Sequence, residues 1–340
     1  MKKVKVVDAI GMILCHDMTK IIPNEFKGTA FKKGHIIQEE DIQELLKMGK
    51  EHIYVWENKP GMLHENDAAI RIAEAVKGEN LTISEPKEGK CTFTSDIKGL
   101  FEVNSQLLTK INSVPMVSVA TLPNNFTVNK GEKVTGARVI PLIIEEQKII
   151  QIEKLCREYG AAIKVTPYKR LKAGIVVTGS EVYTGRIKDK FSPVIEQKLA
   201  YFDATLLEKI FVPDDIEKIK EAILALKAKG AEIIVVTGGM SVDPDDLTPG
   251  AIGKTGANIV THGAPVQPGN MFMLAYLDDT AIMGVPGCTM YMKTTILDSV
   301  LPRIFAGHTL TRADFIVMGE GGFCRGCETC HYPTCFFCRS

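Results

Sequence analysis

The sequence predicts an α/β protein. A mostly parallel sheet in three layers is expected over residues 171–308, preceded by a mixed α+β amino-terminal half and followed by a short cysteine-rich tail. Three observations carry this expectation. From Leu171 onward, continuous apolar runs alternate with amphipathic helical segments, the pattern of a parallel sheet covered on both faces. Three glycine-rich turns each follow an apolar run directly, and five of the nine cysteines fall after Phe323.

At 340 residues the chain has room for two or three domains of roughly 100–200 residues each. Composition divides it at 1–60, 61–170, 171–308 and 309–340. Hydrophobic residues at 45% and charged residues at 24% match globular usage, which excludes a disordered chain or a membrane channel for the whole. Lys and Arg together number 41, as do Asp and Glu, so no net field draws the chain to nucleic acid or an anionic membrane. No stretch approaches the roughly 18 uninterrupted apolar residues of a membrane span. The basic head is broken by Asp8 with no small-residue cleavage site behind it, so a cytoplasmic protein is expected.

The elements follow in order. Ile42, Leu45 and Leu46 stand at helical spacing before Gly49, and His52 to Trp56 reads as a strand. Helices are expected over Asp67–Val76, ended by Gly78, and near Val103–Ile111, with a strand near Met116–Ala120. Pro and Gly from Pro123 to Pro141 mark turns of a small β-rich unit. His16, His35, His52 and His64 are isolated and read as surface or core residues. In the carboxyl-terminal half, strands are expected at Ala173–Val177, Thr205–Phe211, Glu232–Val236, Phe272–Tyr276 and Ala281–Gly284. The best helix is Asp214–Lys229, with Asp214 and Glu217 as a capping pair and Ile216, Ile219, Ile223 and Leu226 on one face. A last helix is expected over Met290–Phe305.

Thr178-Gly179-Ser180-Glu181, Thr237-Gly238-Gly239-Met240-Ser241 and Gly284-Val285-Pro286-Gly287 are the three turns. In an open parallel sheet all strand carboxyl ends share one edge, and ligands occupy the crevice there, so these turns should converge. Glycine allows close backbone approach, Thr and Ser bring hydroxyls, and helix starts favour anions. A phosphate-bearing ligand is expected; the bland reading is that each glycine only turns its strand. Asp243, Asp245 and Asp246 follow the second turn, and Asp189 lies beyond the first. Carboxylates beside phosphates call for a cation, and Mg²⁺ held by Asp245 and Asp246 with phosphate oxygens fits that need. Gly253-Lys254-Thr255 is not a P-loop, because position 248 is Thr where that motif needs Gly. No G-x-G-x-x-G follows a strand, so nicotinamide and flavin binding of the usual kind has no support.

Together, Val177-Thr178-Gly179-Ser180-Glu181, Gly185-Arg186-Ile187-Lys188-Asp189, Thr237-Gly238-Gly239 with Ser241-Val242, Asp246-Leu247-Thr248-Pro249, Pro268-Gly269 and Gly284-Val285-Pro286-Gly287 resemble the molybdopterin-binding fold of molybdenum-cofactor biosynthesis. That family includes molybdopterin adenylyltransferase, molybdopterin molybdenumtransferase and gephyrin. The resemblance covers about residues 171 to 305. It implies that Thr178, Gly179, Ser180, Glu181, Thr237, Gly238, Gly239, Ser241, Pro268, Gly269, Gly284, Pro286 and Gly287 hold molybdopterin or its adenylate. It also implies that Asp189 and Asp246 serve catalysis with Mg²⁺, and that the protein is a homo-oligomer. Looser similarity to the transferase's amino-terminal part begins at Val7-Asp8-Ala9-Ile10-Gly11.

Three departures stand out. Gln267-Pro268-Gly269-Asn270-Met271 replaces a Lys-Pro-Gly-Lys-Pro loop, removing two cations suited to molybdate or phosphate. Pro286-Gly287-Cys288-Thr289 replaces Pro-Gly-Asn-Pro, with Cys288 read as a small buried residue. About 35 residues follow the binding fold where the transferase has a further β-domain.

Those residues carry Cys324-x2-Cys327-x2-Cys330-His331-x3-Cys335-x2-Cys338, a thiol density that suits a soft metal, either Zn²⁺ or an iron–sulfur cluster. The expected function is Mg²⁺-dependent insertion of molybdate or tungstate into adenylylated molybdopterin. The alternatives are adenylylation of molybdopterin, a noncatalytic pterin carrier or sensor, and a nucleotide hydrolase of the competence-associated kind, which shares the Thr-Gly-Gly turn.

Overall fold

The computed structural model describes residues 1–22, 26–55, 60–241, 243 and 246–338. The chain forms two compact units: Met1–Asp96, Val103–Leu122 and Lys130–Lys164 make one, and Ile97–Glu102, Pro123–Asn129 and Val165–Ser340 the other.

In the amino-terminal unit, strand Lys2–Lys5 pairs antiparallel with His52–Val55, and Met18–Ile22 with Phe26–Phe31. Val4, Leu14, Ile37, Leu45 and Ile53 close a small core beneath helix Asp41–Lys47. Trp56, the expected end of the strand, lies outside the described residues. A four-stranded antiparallel sheet runs in the order Leu81–Ile83, Lys90–Ser95, Lys133–Val139, Val117–Thr121. Helix Glu65–Val76 starts two residues earlier than expected, because the buried His64 ring accepts the Asn66 N–H and caps it. Histidine is not among the residues that usually announce an N-cap. Arg71 ties this helix to Glu146–Tyr159 through Glu146 and Glu153.

The carboxyl-terminal unit holds strands β1 (Lys172–Thr178), β2 (Thr205–Val212), β3 (Ile233–Thr237), β4 (Asn258–His262), β5 (Met273–Leu277) and β6 (Thr280–Val285). Their order in the sheet is β2-β1-β3-β6-β5-β4. The first four in that order are parallel, while β5 runs antiparallel to β6 and β4 antiparallel to β5. Helices α1 (Ser180–Tyr183), α2 (Ser192–Ala200), α3 (Ile216–Ala228), α4 (Thr248–Lys254), α5 (Ile296–Phe305) and α6 (Arg312–Ile316) complete the unit.

Successive residues of a strand face opposite sides, and here both sides are buried. Ala173, Ile175 and Val177 of β1 join α2 and α5 on one face, whereas Val176 joins α3 and α4 on the other. The unbroken apolar runs are the consequence of these three layers. A β-carbon on Gly174 would stand 2.7 Å from Leu226, so α3 lies close against the sheet.

Two details differ from expectation. Asp215, not Asp214, caps α3, accepting the Lys218 N–H at 2.9 Å. The last helix begins at Ile296 rather than Met290, after a 3-10 turn over Gly287–Met290, and Thr295 with Asp298 forms its capping box.

Candidate functional site

Adjacent strands set the site. Val177 lies opposite Thr237, and Thr237 opposite Val285, so β1, β3 and β6 end side by side. Their glycine turns therefore leave the same edge. A β-carbon on Gly238 would stand 2.6 Å from Thr178 Oγ1, and one on Gly284 2.6 Å from Met240 Sδ, so the second turn touches both neighbours. Gly238 and Gly239 take φ of 88° and 57°, a pair of left-handed residues that glycine adopts without strain. Met273 of β5 lies opposite Gly284, so Pro268–Gly269, which leads into β5, reaches this edge as well. The Ile296 N–H donates to the Pro268 carbonyl at 3.3 Å, fixing that loop to the start of α5.

Two of the expected hydroxyls face inward. Thr178 donates to the Thr237 carbonyl at 3.0 Å, and Thr237 is 1% exposed with its hydroxyl toward the Val176 carbonyl. Both support the turns from beneath. Ser180, Glu181, Ser241 and Gly287 are exposed, whereas Gly269, Gly284 and Pro286 are buried. The Ser180 N–H is engaged by Asp214 Oδ2 at 2.8 Å, so this donor is already used within the protein.

Asp189 sits at the start of α2. Its Oδ1 accepts the N–H groups of Phe191 and Ser192 at 2.8 and 3.0 Å, and its Oδ2 accepts the Ser192 hydroxyl. Lys209 Nζ of β2 stands 3.9 Å from Asp189 and donates to Ser192 Oγ and Glu196, each at 2.8 Å. Burial pushes the Asp189 carboxyl up, but the Ser192 and Phe191 donors with Lys209 outweigh it and hold the group below its usual value. Asp246 follows the second turn, where its Oδ2 accepts the Asp243 N–H at 3.0 Å and its own N–H donates to the Asp243 carbonyl. Asp245 and Val242 lie outside the described residues. Thr248 closes the turn by donating its hydroxyl to the Gly238 carbonyl at 2.9 Å. Sequence reading missed Ser192, Lys209, Asp214 and the part Thr248 plays here, all of which act across the sheet or back along a loop.

Cys288, half-buried beside Gly287, has its thiol pushed up by burial. The tail cysteines differ in their surroundings. Cys324, Cys335 and Cys338 pack against the apolar core, Cys330 Sγ lies 3.2 Å from Thr294 Oγ1, and Cys327 is exposed. Among the described residues no three His, Cys, Asp or Glu side chains converge to hold a metal. The tail is stitched to the site's wall: the Gln267 N–H donates to the Gly322 carbonyl and the Cys324 N–H to the Gln267 carbonyl, both at 2.7 Å. No helix among the described residues is long and apolar enough to cross a membrane.

Comparison with known proteins agrees with this geometry. Residues 174–306 match the model of a family described as a probable molybdopterin binding domain, and residues 3–57 that of a domain of unknown function. A CinA-like protein of a Mycobacterium species (strain MCS) is 36% identical over 83 residues, 24% of this chain and 20% of its own length. A molybdopterin molybdenumtransferase of Haemophilus influenzae is 25% identical over 186 residues, 52% of this chain and 43% of the transferase. A presumptive molybdopterin biosynthesis protein of Methanocaldococcus jannaschii is 23% identical over 309 residues, 84% of this chain and 69% of that protein. The chain thus spans a fifth of the CinA-like relative and under half of the transferase. With its glycine turns at one sheet edge in the family's order, the domain over residues 174–306 belongs to the molybdopterin-binding domains of molybdenum-cofactor biosynthesis.

Proposed function

We propose that this protein binds molybdopterin or adenylylated molybdopterin at the carboxyl edge of β1, β3 and β6, and acts in molybdenum- or tungsten-cofactor assembly as a Mg²⁺-dependent molybdenumtransferase-like enzyme. The observation that carries the reading is the register that ends these three strands together, each in a glycine turn. Backbone that approaches closely and exposed Ser180 and Ser241 suit a phosphate at this edge. Asp246 is the carboxylate for the ion. Mg²⁺ there would draw its remaining ligands from substrate phosphate and water, the usual habit of this ion. When bound, the ion supplies charge neutralisation at phosphate oxygens. Asp189, the second catalytic carboxylate, is oriented by the Phe191 and Ser192 donors and by Lys209.

The test is turnover of adenylylated molybdopterin with molybdate and Mg²⁺, read as AMP release and metallated cofactor. AMP release should require Mg²⁺ and fall at least about tenfold in Asp246→Asn. The neutral Gln267–Met271 loop favours one rival, a pterin carrier, which binding without turnover would establish. Formation of adenylate from ATP would instead assign an adenylyltransferase. Hydrolysis of a dinucleotide with no pterin affinity would move the protein to the competence-associated hydrolases.

A further inference from the structure

We infer that the carboxyl-terminal unit carries a second ligand site, between α2 and α5, for a flat aromatic or heteroaromatic molecule bearing one anionic group. A cavity of about 520 Å³ opens there, bounded also by residues 290–293 and by Tyr332 and Pro333 of the tail. Small-molecule pockets span roughly 300–1,000 Å³.

Its floor is rigid and apolar. Phe202 stacks on the buried Phe305 at 4.5 Å and meets Tyr201 edge-on at 4.9 Å, with Leu301 beside them. At the rim, Tyr291 is 73% exposed and Met290 43% exposed. A ring and a soft thioether left in water next to a cavity offer contact area to a flat ligand.

Charge sets the ligand's sign. Asp298, the one carboxylate lining the cavity, is engaged on both oxygens, by Lys198 Nζ at 2.5 Å and the Thr295 N–H at 2.8 Å. It has little left for a cationic ligand. Lys198 is neutralised by the same pair, whereas the exposed Lys293 at the rim has no acidic partner among the described residues. The lining therefore holds one ammonium in excess.

The tail wall is anchored. The Tyr332 hydroxyl donates to the Asp298 carbonyl at 3.0 Å, and its ring lies 6.4 Å from Phe337, which is 1% exposed. A segment rich in cysteine thus also shapes a binding surface. None of the glycine-turn residues lines this cavity, although residues 290–293 follow directly on the Gly287 turn.

Titration with 8-anilinonaphthalene-1-sulfonate, an aromatic anion, tests the inference on the full chain. One saturable site is expected, weakened about tenfold by Lys293→Glu and by Tyr291→Ala, and unchanged in Asp246→Asn. N-Phenyl-1-naphthylamine, which lacks the sulfonate, should bind more weakly and ignore Lys293→Glu. Both substituted residues are exposed, so the fold survives their replacement. Sulfonate binding that ignores both substitutions, or no saturable binding, would overturn the inference. So would an oligomer that excludes the probe until Tyr291→Glu dissociates it, since a second copy of the chain would then fill the groove.

Discussion

At Gly238 the site's shape comes down to one missing carbon. A β-carbon there would lie 2.6 Å from the Thr178 hydroxyl oxygen and 2.8 Å from the Thr178 carbonyl oxygen, at a φ of 88° that other residues rarely adopt. Neither neighbour can move freely, since the hydroxyl is bonded to Thr237 and the carbonyl ends a central strand. Gly238→Ala should therefore cost about 1–3 kcal/mol, read as a lower urea midpoint at constant slope. An unchanged midpoint would show that the turn has room to spare. Asp189 adds a pH signature. Its folded value lies below that of an unfolded aspartate, about 3.9, so its contribution is complete above that pH and lost as pH falls through the lower folded value. Asn can still accept the Phe191 and Ser192 N–H bonds but carries no charge. The stability advantage of the native chain over Asp189→Asn should be full near pH 6 and shrink below about pH 4. An equal advantage at pH 3 and pH 6 would contradict the charge-based account.

Helix α5 shows what an element needs beyond its apolar face. The Leu297 N–H donates to Thr295 Oγ1 at 3.3 Å and the Thr295 N–H to Asp298 Oδ2 at 2.8 Å. Thr295→Ala removes the hydroxyl and should destabilise the unit by about 1 kcal/mol, measurable by thermal or urea unfolding. No change would mean that Asp298 alone secures the start. Sequence reading placed this helix start too early because Met290 and Met292 continue an apolar pattern, and apolarity does not distinguish a tight turn from a helical one. Strands β1 and β3 were legible for the opposite reason: continuous burial on both faces leaves apolar runs too short for helices. Edge strand β4 was not legible, because Asn258, Ile259 and His262 are exposed and no alternation survives. The cap of α3 was misplaced by one residue, since Asp214 and Asp215 are equal in sequence and only the extended backbone of Asp215, with φ −141° and ψ 122°, selects it. The glycine turns could be read because positive φ and close approach demand glycine. The partners Asp214 and Lys209 could not, because each acts on a residue of another strand or loop.

Across the whole molecule, the cysteines divide by unit, and their chemistry should divide with them. Cys15, Cys91 and Cys156 belong to the amino-terminal unit and are all buried. Burial pushes the thiols of Cys15 and Cys156 up to about 11 and raises that of Cys91. The carboxyl-terminal unit holds Cys288 and the tail cysteines, of which Cys327 is exposed and the others partly so. Only the thiolate attacks an alkylating reagent, so burial shields the three amino-terminal thiols twice, by blocking access and by holding them protonated. A thiol near 11 is ionised to roughly 0.1% at pH 8, against tens of per cent for an ordinary exposed cysteine. A brief iodoacetamide pulse on the native protein, read by peptide mass spectrometry, should modify Cys327 first, with Cys15, Cys91 and Cys156 reacting only after denaturation. Were Cys15 or Cys156 to react as fast as Cys327, the amino-terminal unit would have to open on the timescale of the pulse, and the packing of its core would need revision. If the order holds, Cys327 offers an exposed position for attaching a reporter without disturbing either core.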